Sequence, residues 1–231
     1  MTGKLYLHLT RHGETMFNKM ERIQGWSDTP LTVPGKEVAK SLGRGLDLKF
    51  DAVYTSDLRR TVETVRLVLQ ESKQTHLKET MLKDLRELCF GEFEGLPSAD
   101  MFETVLTHLG YESGEAGMAQ TSFAEIVSGV CELDTTNTAE PWEVMETRVK
   151  RALETIIQRE ASEAEKHILV VAHGLTINTA ISLIAPEKVD PLLENASITT
   201  LLYEADSLTV QTVGDTSYIL AGQKKKRSGH T

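Results

Sequence analysis

The sequence has few cysteines and lacks any long apolar run. Only Cys89 and Cys131 occur among 231 residues, far apart and outside any Cys-x-x-Cys pattern, so we expect them to be reduced and partly buried. No apolar run approaches the roughly 20 residues that a membrane-spanning helix requires. The stretch from Met1 to Thr10 lacks the charged-then-apolar plan of a signal peptide, and we therefore expect a cytoplasmic protein without a membrane partner.

An excess of positive charge is also missing. Lys and Arg total 25 against 34 Asp and Glu, which gives a formal net charge of -9 and disfavours nucleic acid as the main partner. With 40% apolar residues the chain can bury a large core, and we expect one domain over residues 1–231 rather than two small ones. The assembly stays open, with a homodimer as the candidate oligomer.

Lys and Arg are absent from the whole segment between Glu87 and Thr147, where acids are frequent. We predict that residues 96–141 form an inserted cap. Two apolar stripes in it have helical spacing, and helix core is the favoured interpretation over a substrate pocket lining: Met101, Phe102, Val105, Leu106 and Leu109, then Phe123, Ile126, Val127 and Val130. Cations instead gather at Lys224 to Arg227, in a basic tail over residues 223–231 that we expect to be flexible.

Strand-like and helix-like runs alternate along the chain. The strand candidates are Lys4 to Thr10, Ala52 to Thr55, His76 to Met81, Ile168 to Ala172, Ile198 to Tyr203 and Leu208 to Val213, with a hairpin turn at Ala205-Asp206-Ser207. The helix candidates are Gly35 to Leu46, Asp57 to Glu71, Trp142 to Ala161 and Leu175 to Leu183. The pattern predicts an α/β protein of three layers, α/β/α, whose mostly parallel central sheet has one antiparallel edge region and an inserted helical cap.

Histidines and arginines follow three of these strands directly. Arg11-His12 follows the first, Ser56 to Arg60 the second, and His173-Gly174 another. Open parallel sheets bind ligands beyond the carboxyl ends of their strands, so we expect an anion site there. With Ser56 as N-cap, Arg59 and Arg60 would lie in the first turn of a helix, where the macrodipole disfavours cations unless a phosphate binds.

A neutral imidazole is a nucleophile near pH 7, and His12 is the candidate to attack phosphorus. Arg11 and Arg59 would keep its pKa low and hold the phosphoryl oxygens, and a protonated His173 would complete the cage. Such a cage performs the task of Mg²⁺ in other phosphoryl-transfer enzymes, so we expect neither metal nor other cofactor. His8 and His12 are poor metal ligands, because a strand would separate them by about 13 Å.

The leaving oxygen needs a proton, and Glu87 is the candidate acid. The alternative is a surface glutamate paired with Arg86, which the local pattern taken alone favours.

Together these residues resemble the histidine phosphatase superfamily in its phosphoglycerate mutase-like branch. The resemblance runs in order from Lys4 to about Tyr218. Its motifs are Leu9-Thr10-Arg11-His12-Gly13-Glu14-Thr15, Asn18, Gln24-Gly25-Trp26, Ser56-Asp57-Leu58-Arg59-Arg60-Thr61, Arg86-Glu87, Gly91-x-Phe93-Glu94-Gly95, Ala172-His173-Gly174, Asn195 to Thr199 and Val213 to Tyr218.

The resemblance implies a role for each matching position. His12 would become phosphorylated, and Glu87 would donate the proton. The phosphoryl group would be bound by Arg11, Arg59 and His173, with a further contact from Asn18. The pocket wall would contain Gln24 and Gly25, and Gly174 and Thr176 would lie at the phosphate site and near the pocket rim.

Two departures bear on the activity. Mutases of this family hold a second acidic group of the substrate with basic residues in the inserted segment, and they commonly carry Asn where Leu175 follows Gly174. Here the inserted segment contains no Lys or Arg. We therefore predict hydrolysis of small phosphate monoesters. A cofactor-dependent phosphoglycerate mutase is the alternative, and a non-catalytic module that binds phosphorylated ligands is a third.

Overall fold

The computed structural model describes residues 3–112 and 114–228. Within these residues, six strands form one sheet in the order β3-β2-β4-β1-β5-β6. Their bounds are β1 Leu5–Arg11, β2 Ala52–Thr55, β3 Glu79–Met81, β4 Lys166–Ala172, β5 Ile198–Glu204 and β6 Ser207–Asp215. Strands β1 to β4 are mutually parallel, whereas β5 is antiparallel to β1 and to β6, so the predicted antiparallel edge is confirmed.

Helices cover both faces of the sheet. The α-helices of the described residues are α1 Met16–Lys19, α2 Val33–Gly45, α3 Arg59–Glu71, α4 Ser98–His108, α5 Glu115–Gln120, α6 Phe123–Leu133, α7 Trp142–Glu160, α8 Gly174–Ser182 and α9 Ser217–Ser228. Helices α2, α3 and α9 pack together on one face, and α7 and α8 on the other. Among the described residues, no helix is both long and apolar enough to cross a bilayer.

Strand β4 lies between β2 and β1 and is buried on both faces. Ile168 and Val170 join the apolar cluster under α7 and α8, whereas Leu169 and Val171 join the cluster under α2, α3 and α9. A strand covered twice is apolar at every position, which explains the unbroken run in the sequence.

The Lys- and Arg-free segment contains α4, α5 and α6. The two apolar stripes are buried where α4 and α6 pack onto the cluster that also contains strand β1, so the prediction of helix core is confirmed at Met101, Val105, Leu106, Ile126, Val127 and Val130. Cys89 is buried and Cys131 half-buried, and both are free thiols, as predicted.

The predicted basic tail is helical where the structure describes it, and its flexibility stays a prediction. Residues 223–228 continue helix α9, and residues 229–231 lie outside the described part of the chain. Gly222 allows α9 to approach α2 closely, because a Cβ there would lie 1.8 Å from the Ser41 carbonyl oxygen. Lys225 also pairs with Asp47 at 2.9 Å. The helix packs on its neighbour through backbone contact that the charge pattern does not reveal.

The hairpin between β5 and β6 turns at Ala205 and Asp206, as predicted. Both residues have positive φ, 51° and 59°. This is the backbone of a two-residue hairpin turn whose twist matches the flanking strands.

Candidate active site

Three neighbouring strand ends bring His12, Ser56 and His173 together. The His12 amide donates to the Ala172 carbonyl at 3.1 Å, and the Ser56 amide donates to Val171 at 3.2 Å. The rings of His12 and His173 lie 5.2 Å apart between centroids, edge to face. The sheet therefore places both imidazoles at its carboxyl edge, as the sequence predicts.

His12 has a defined tautomer. Its Nδ1 lies 2.8 Å from the Gly13 carbonyl oxygen, which can only accept, so Nδ1 carries the proton and Nε2 has the lone pair. Burial lowers the pKa of His12 well below its ordinary value, and the charges of Arg60 and Arg11 lower it further. Both observations favour a neutral ring at pH 7 with a free lone pair on Nε2.

His173 is also neutral, which differs from the expectation of a protonated ring. Its Nδ1 accepts from Nε of Arg60 at 3.2 Å, so Nε2 carries the proton and contacts the Ser56 hydroxyl at 2.8 Å. Burial lowers the pKa of His173 well below its ordinary value, and Arg60 and His12 add to the shift. Positive charge at the site comes from arginine instead.

The prediction of Arg59 in this cluster is wrong, because the structure places Arg60 there. Helix α3 begins at Arg59, after Leu58 and not after Ser56, and no side chain of its N-cap residue bonds to it. Successive helical residues point about 100° apart, so two adjacent arginines cannot face the same way. The Arg60 side chain is fully buried toward the sheet, whereas Arg59 is exposed.

The Arg60 guanidinium is held by the loop that precedes α2. Besides its bond to His173, it donates to the carbonyls of Gly25 at 2.7 Å and Ser27 at 2.8 Å, and it lies 3.3 Å from the Asp28 carboxylate. The same carboxylate accepts the amides of residues 59 and 60 and so satisfies the start of α3. A distant loop supplies the cap that the sequence pattern assigns to Ser56.

Arg11 contributes a second cation, which is half-buried. Its NH1 donates to the Leu193 carbonyl at 2.6 Å, and its Nε is buried without any partner among the described residues. A Cβ on Gly174 would lie 3.5 Å from this Nε, so the guanidinium lies against the first turn of α8. A buried, unpartnered donor at a helix N-terminus suits a phosphoryl oxygen.

Glu87 is buried, with 6% of its surface exposed. Its carboxylate accepts the amides of Leu175 at 3.1 Å and Thr176 at 3.2 Å, at the N-terminus of α8, and the amide of Leu88 at 3.1 Å. Burial raises the pKa of Glu87 in spite of these donors and of Arg60 and Arg11. A carboxyl group with a raised pKa can donate a proton near neutral pH.

The alternative of an exposed glutamate paired with Arg86 does not hold. Arg86 donates from Nε and NH2 to the Asp57 carboxylate, each at 2.6 Å, and its guanidinium lies 4.8 Å from the centre of the Trp26 ring. Its ion pair is therefore with Asp57, and Glu87 is buried rather than exposed. Thr176 also differs from its predicted place near a rim, because it is buried behind Glu87 and donates to the Arg86 carbonyl at 2.8 Å.

The remaining predicted residues belong to the loop after β1. Asn18 accepts the Thr15 amide at 3.1 Å and closes the capping box of α1. Gln24 bridges Thr15 at 2.6 Å and Thr29 at 2.9 Å. These bonds order the loop, and the phosphate contact of Asn18 and the pocket-wall position of Gln24 stay predictions. Gly25 lies where two backbone segments approach closely, since a Cβ there would lie 1.9 Å from the Leu88 carbonyl oxygen.

Several contributors have no role assigned from the sequence: Asp28 lies outside the motifs, whereas Glu94 and Arg60 lie within them. Asp28 and Glu94 act through backbone amides of other segments, and Glu94 accepts those of residues 25, 26, 27 and 90. The sequence did offer one signal for Arg60: its position on the helix, relative to the apolar residues of α3, places it on the buried face. His8 lies with His167 at 3.0 Å and Thr200 at 3.2 Å. Among the described residues, no three His, Cys, Asp or Glu side chains gather as metal ligands.

Comparison with known proteins identifies the family. A model of the histidine phosphatase superfamily (branch 1) matches residues 7–216. The chain is similar to a broad-specificity phosphatase of Saccharomyces cerevisiae, with 27% identity over 225 residues that cover 94% of this chain and 88% of the relative. It is similar to fructose-2,6-bisphosphatase TIGAR B of Danio rerio, 31% identical over 179 residues, or 76% of this chain and 59% of the relative. The crystal structure of phosphoglycerate mutase from Bacillus anthracis has a TM-score of 0.92 and 40% identity, over 96% of this chain and 98% of that one. Because the family model spans most of the chain and agrees with the motifs, this protein belongs to the histidine phosphatase superfamily, branch 1.

Proposed function

We propose that this histidine phosphatase hydrolyses small phosphate monoesters through a phosphohistidine on His12. The observation that carries the proposal is a buried, neutral His12 whose Nε2 lone pair is available, beside the fully buried Arg60, the half-buried Arg11 and the buried carboxyl group of Glu87. The yeast relative's name, a broad-specificity phosphatase, agrees with this activity.

The first half-reaction transfers the phosphoryl group to the enzyme. Arg11 and Arg60 would hold the phosphoryl oxygens, and Nε2 of His12 would attack phosphorus in line with the leaving oxygen. The N–P bond forms as the P–O bond breaks. Glu87 would give its proton to the leaving oxygen, and the alcohol departs.

The second half-reaction releases phosphate. Glu87, now a carboxylate, would take a proton from water as that water attacks phosphorus. The N–P bond breaks, and its electron pair returns to Nε2. Inorganic phosphate leaves, and Glu87 is protonated again for the next cycle.

The substrate class follows from the charge of the inserted segment. Residues 88–147 contain no Lys or Arg, so a second acidic group of a substrate would find no cation there and would meet carboxylates. Hydrolysis needs no second binding site, because the acceptor is water. We infer that the non-phosphate part of the substrate is apolar, neutral or cationic.

A phosphoglycerate mutase is the second candidate, and the 40% identity to the Bacillus anthracis protein of that name favours it. A mutase would need a cation in this chain to bind the carboxylate of the substrate. A coupled assay for interconversion of the phosphoglycerate isomers distinguishes the candidates: conversion much faster than phosphate release would favour the mutase.

The test of the proposed function is hydrolysis of an aryl phosphate by wild type, His12→Ala and His76→Ala. His76 is exposed and serves as the matched control. We expect His12→Ala to abolish turnover and His76→Ala to retain it. Rapid acid quench of wild type should trap an acid-labile phosphoenzyme that His12→Ala lacks. Full turnover by His12→Ala, or an acid-stable serine or aspartate adduct, would exclude this mechanism.

A further inference from the structure

One buried arginine has no part in the proposed chemistry. Arg148 lies on α7 with 6% of its surface exposed. Its Nε and NH2 bind the carboxylate of Glu140 at 2.6 and 2.7 Å. The remaining donors bind main-chain carbonyls: NH1 those of Asp84 at 3.0 Å and Arg86, and NH2 that of Glu87 at 3.0 Å. All five guanidinium N–H groups therefore have an acceptor.

The three carbonyls belong to the segment that presents the proton donor. A 3-10 turn at Lys83–Leu85 leads directly to Glu87, and such irregular backbone cannot pair its carbonyls in a regular ladder. Arg148 satisfies them from α7. Trp26 adds a bond from its Nε1 to the Glu87 carbonyl at 2.9 Å.

Glu87 is thus fixed at both ends. Its carboxyl group accepts from the start of α8, and its carbonyl accepts from Arg148 and Trp26. A general acid must meet the leaving oxygen within hydrogen-bond reach, so the position of its main chain sets its efficiency. A small displacement of that segment would move the carboxyl group away from the leaving oxygen but would leave His12 in place.

We propose that Arg148, fixed by Glu140, is the positioning residue for the proton donor Glu87. This rests on the proposed phosphatase function. It also explains why a buried arginine follows directly after the Lys- and Arg-free segment. The donors of Arg148 are all taken by Glu140 and by three main-chain carbonyls, so Arg148 holds the backbone and has no donor left for the substrate.

The test compares two arginines of one helix. Arg151 lies one turn beyond Arg148 and binds the same segment, but through the Asp84 side chain at 2.6 and 2.7 Å and with its own side chain 59% exposed. Arg148→Lys and Arg151→Lys make the same chemical change. For each variant, kcat/KM is measured on an aryl phosphate with a good leaving group and on an alkyl phosphate with a poor one.

A misplaced proton donor harms the poor leaving group most. We expect Arg148→Lys to reduce kcat/KM for the alkyl phosphate about 100-fold and for the aryl phosphate less than about tenfold. Arg151→Lys should leave the ratio of the two rates unchanged. In a Glu87→Gln background, Arg148→Lys should not change the ratio further, because the donor is already gone.

Equal losses on both substrates would overturn the proposal, since that pattern indicates a purely structural role. If Arg148→Lys does not fold, the double variant Arg148→Met with Glu140→Met removes both buried charges, and the same ratio decides. An inactive wild type would reject the proposed function and this inference with it. An active wild type with an unchanged ratio would reject this inference alone.

Discussion

The sharpest test of the site compares the adjacent residues Arg59 and Arg60. Each is replaced by lysine, so both variants keep the charge and lose the guanidinium fork. The structure predicts opposite outcomes, because Arg60 is fully buried beside His173 whereas Arg59 is exposed at the first position of α3. The motif alone, as interpreted above, predicts that Arg59 matters.

The expected loss of activity in Arg60→Lys follows from the contacts of the Arg60 guanidinium. The Arg60 guanidinium spans His173, two loop carbonyls and Asp28, with donors 2.7 to 3.3 Å from their acceptors. A lysine has its three donors on one nitrogen and cannot span these positions while it also holds a phosphoryl oxygen. Loss of one preorganised donor to developing charge costs about 100- to 1000-fold in kcat, and we expect about 100-fold for Arg60→Lys. An exposed substitution changes free energies by about 0.5 kcal/mol or less, which limits Arg59→Lys to about twofold.

The assay is kcat/KM for an aryl phosphate, with the folded fraction of each variant measured by circular dichroism. Inhibition by orthovanadate reports the same anion site independently, and its affinity should fall only in Arg60→Lys. A larger loss in Arg59→Lys than in Arg60→Lys would refute the assignment of the phosphate site.

Two further predictions concern protons. Burial raises the pKa of Glu87 and lowers that of His12, so kcat/KM should fall on the alkaline side as Glu87 ionises. Glu87→Gln should remove that fall and should slow substrates with poor leaving groups most. A pH profile of this variant identical to that of wild type would count against the acid role. Burial lowers the pKa of His8 from 6.5 to about 4. As the pH falls, His8 therefore takes up a proton in the unfolded chain before it does so in the folded protein. This residue alone should decrease the free energy of unfolding by about 2 kcal/mol between pH 7 and pH 5. Urea unfolding at the two pH values measures the decrease, which should be smaller in His8→Gln; the same decrease in both proteins would contradict the shift.

The elements were largely predictable from local pattern. The apolar run Ile168 to Ala172 and the alternation in Lys4 to Thr10 both became strands at the expected positions. Helix α7 begins at the predicted Trp142. These segments are long and periodic, and their periods match the geometry of the element they form. The start of α3 was misplaced, because its capping group comes from Asp28 in a different loop.

Sequence alone determined the family and the candidate proton donor, through the motifs. It also determined the two histidines of the site, since a strand that ends in Arg11-His12 or His173-Gly174 delivers those side chains to one edge of a parallel sheet. Only the tertiary structure decided which adjacent arginine faces the site, that His173 is neutral, and that Arg148 holds the segment carrying Glu87. Each of these depends on contacts between segments that are distant along the chain, and on the water that those contacts exclude. No local pattern encodes the burial that sets a pKa or the partner that satisfies a carbonyl.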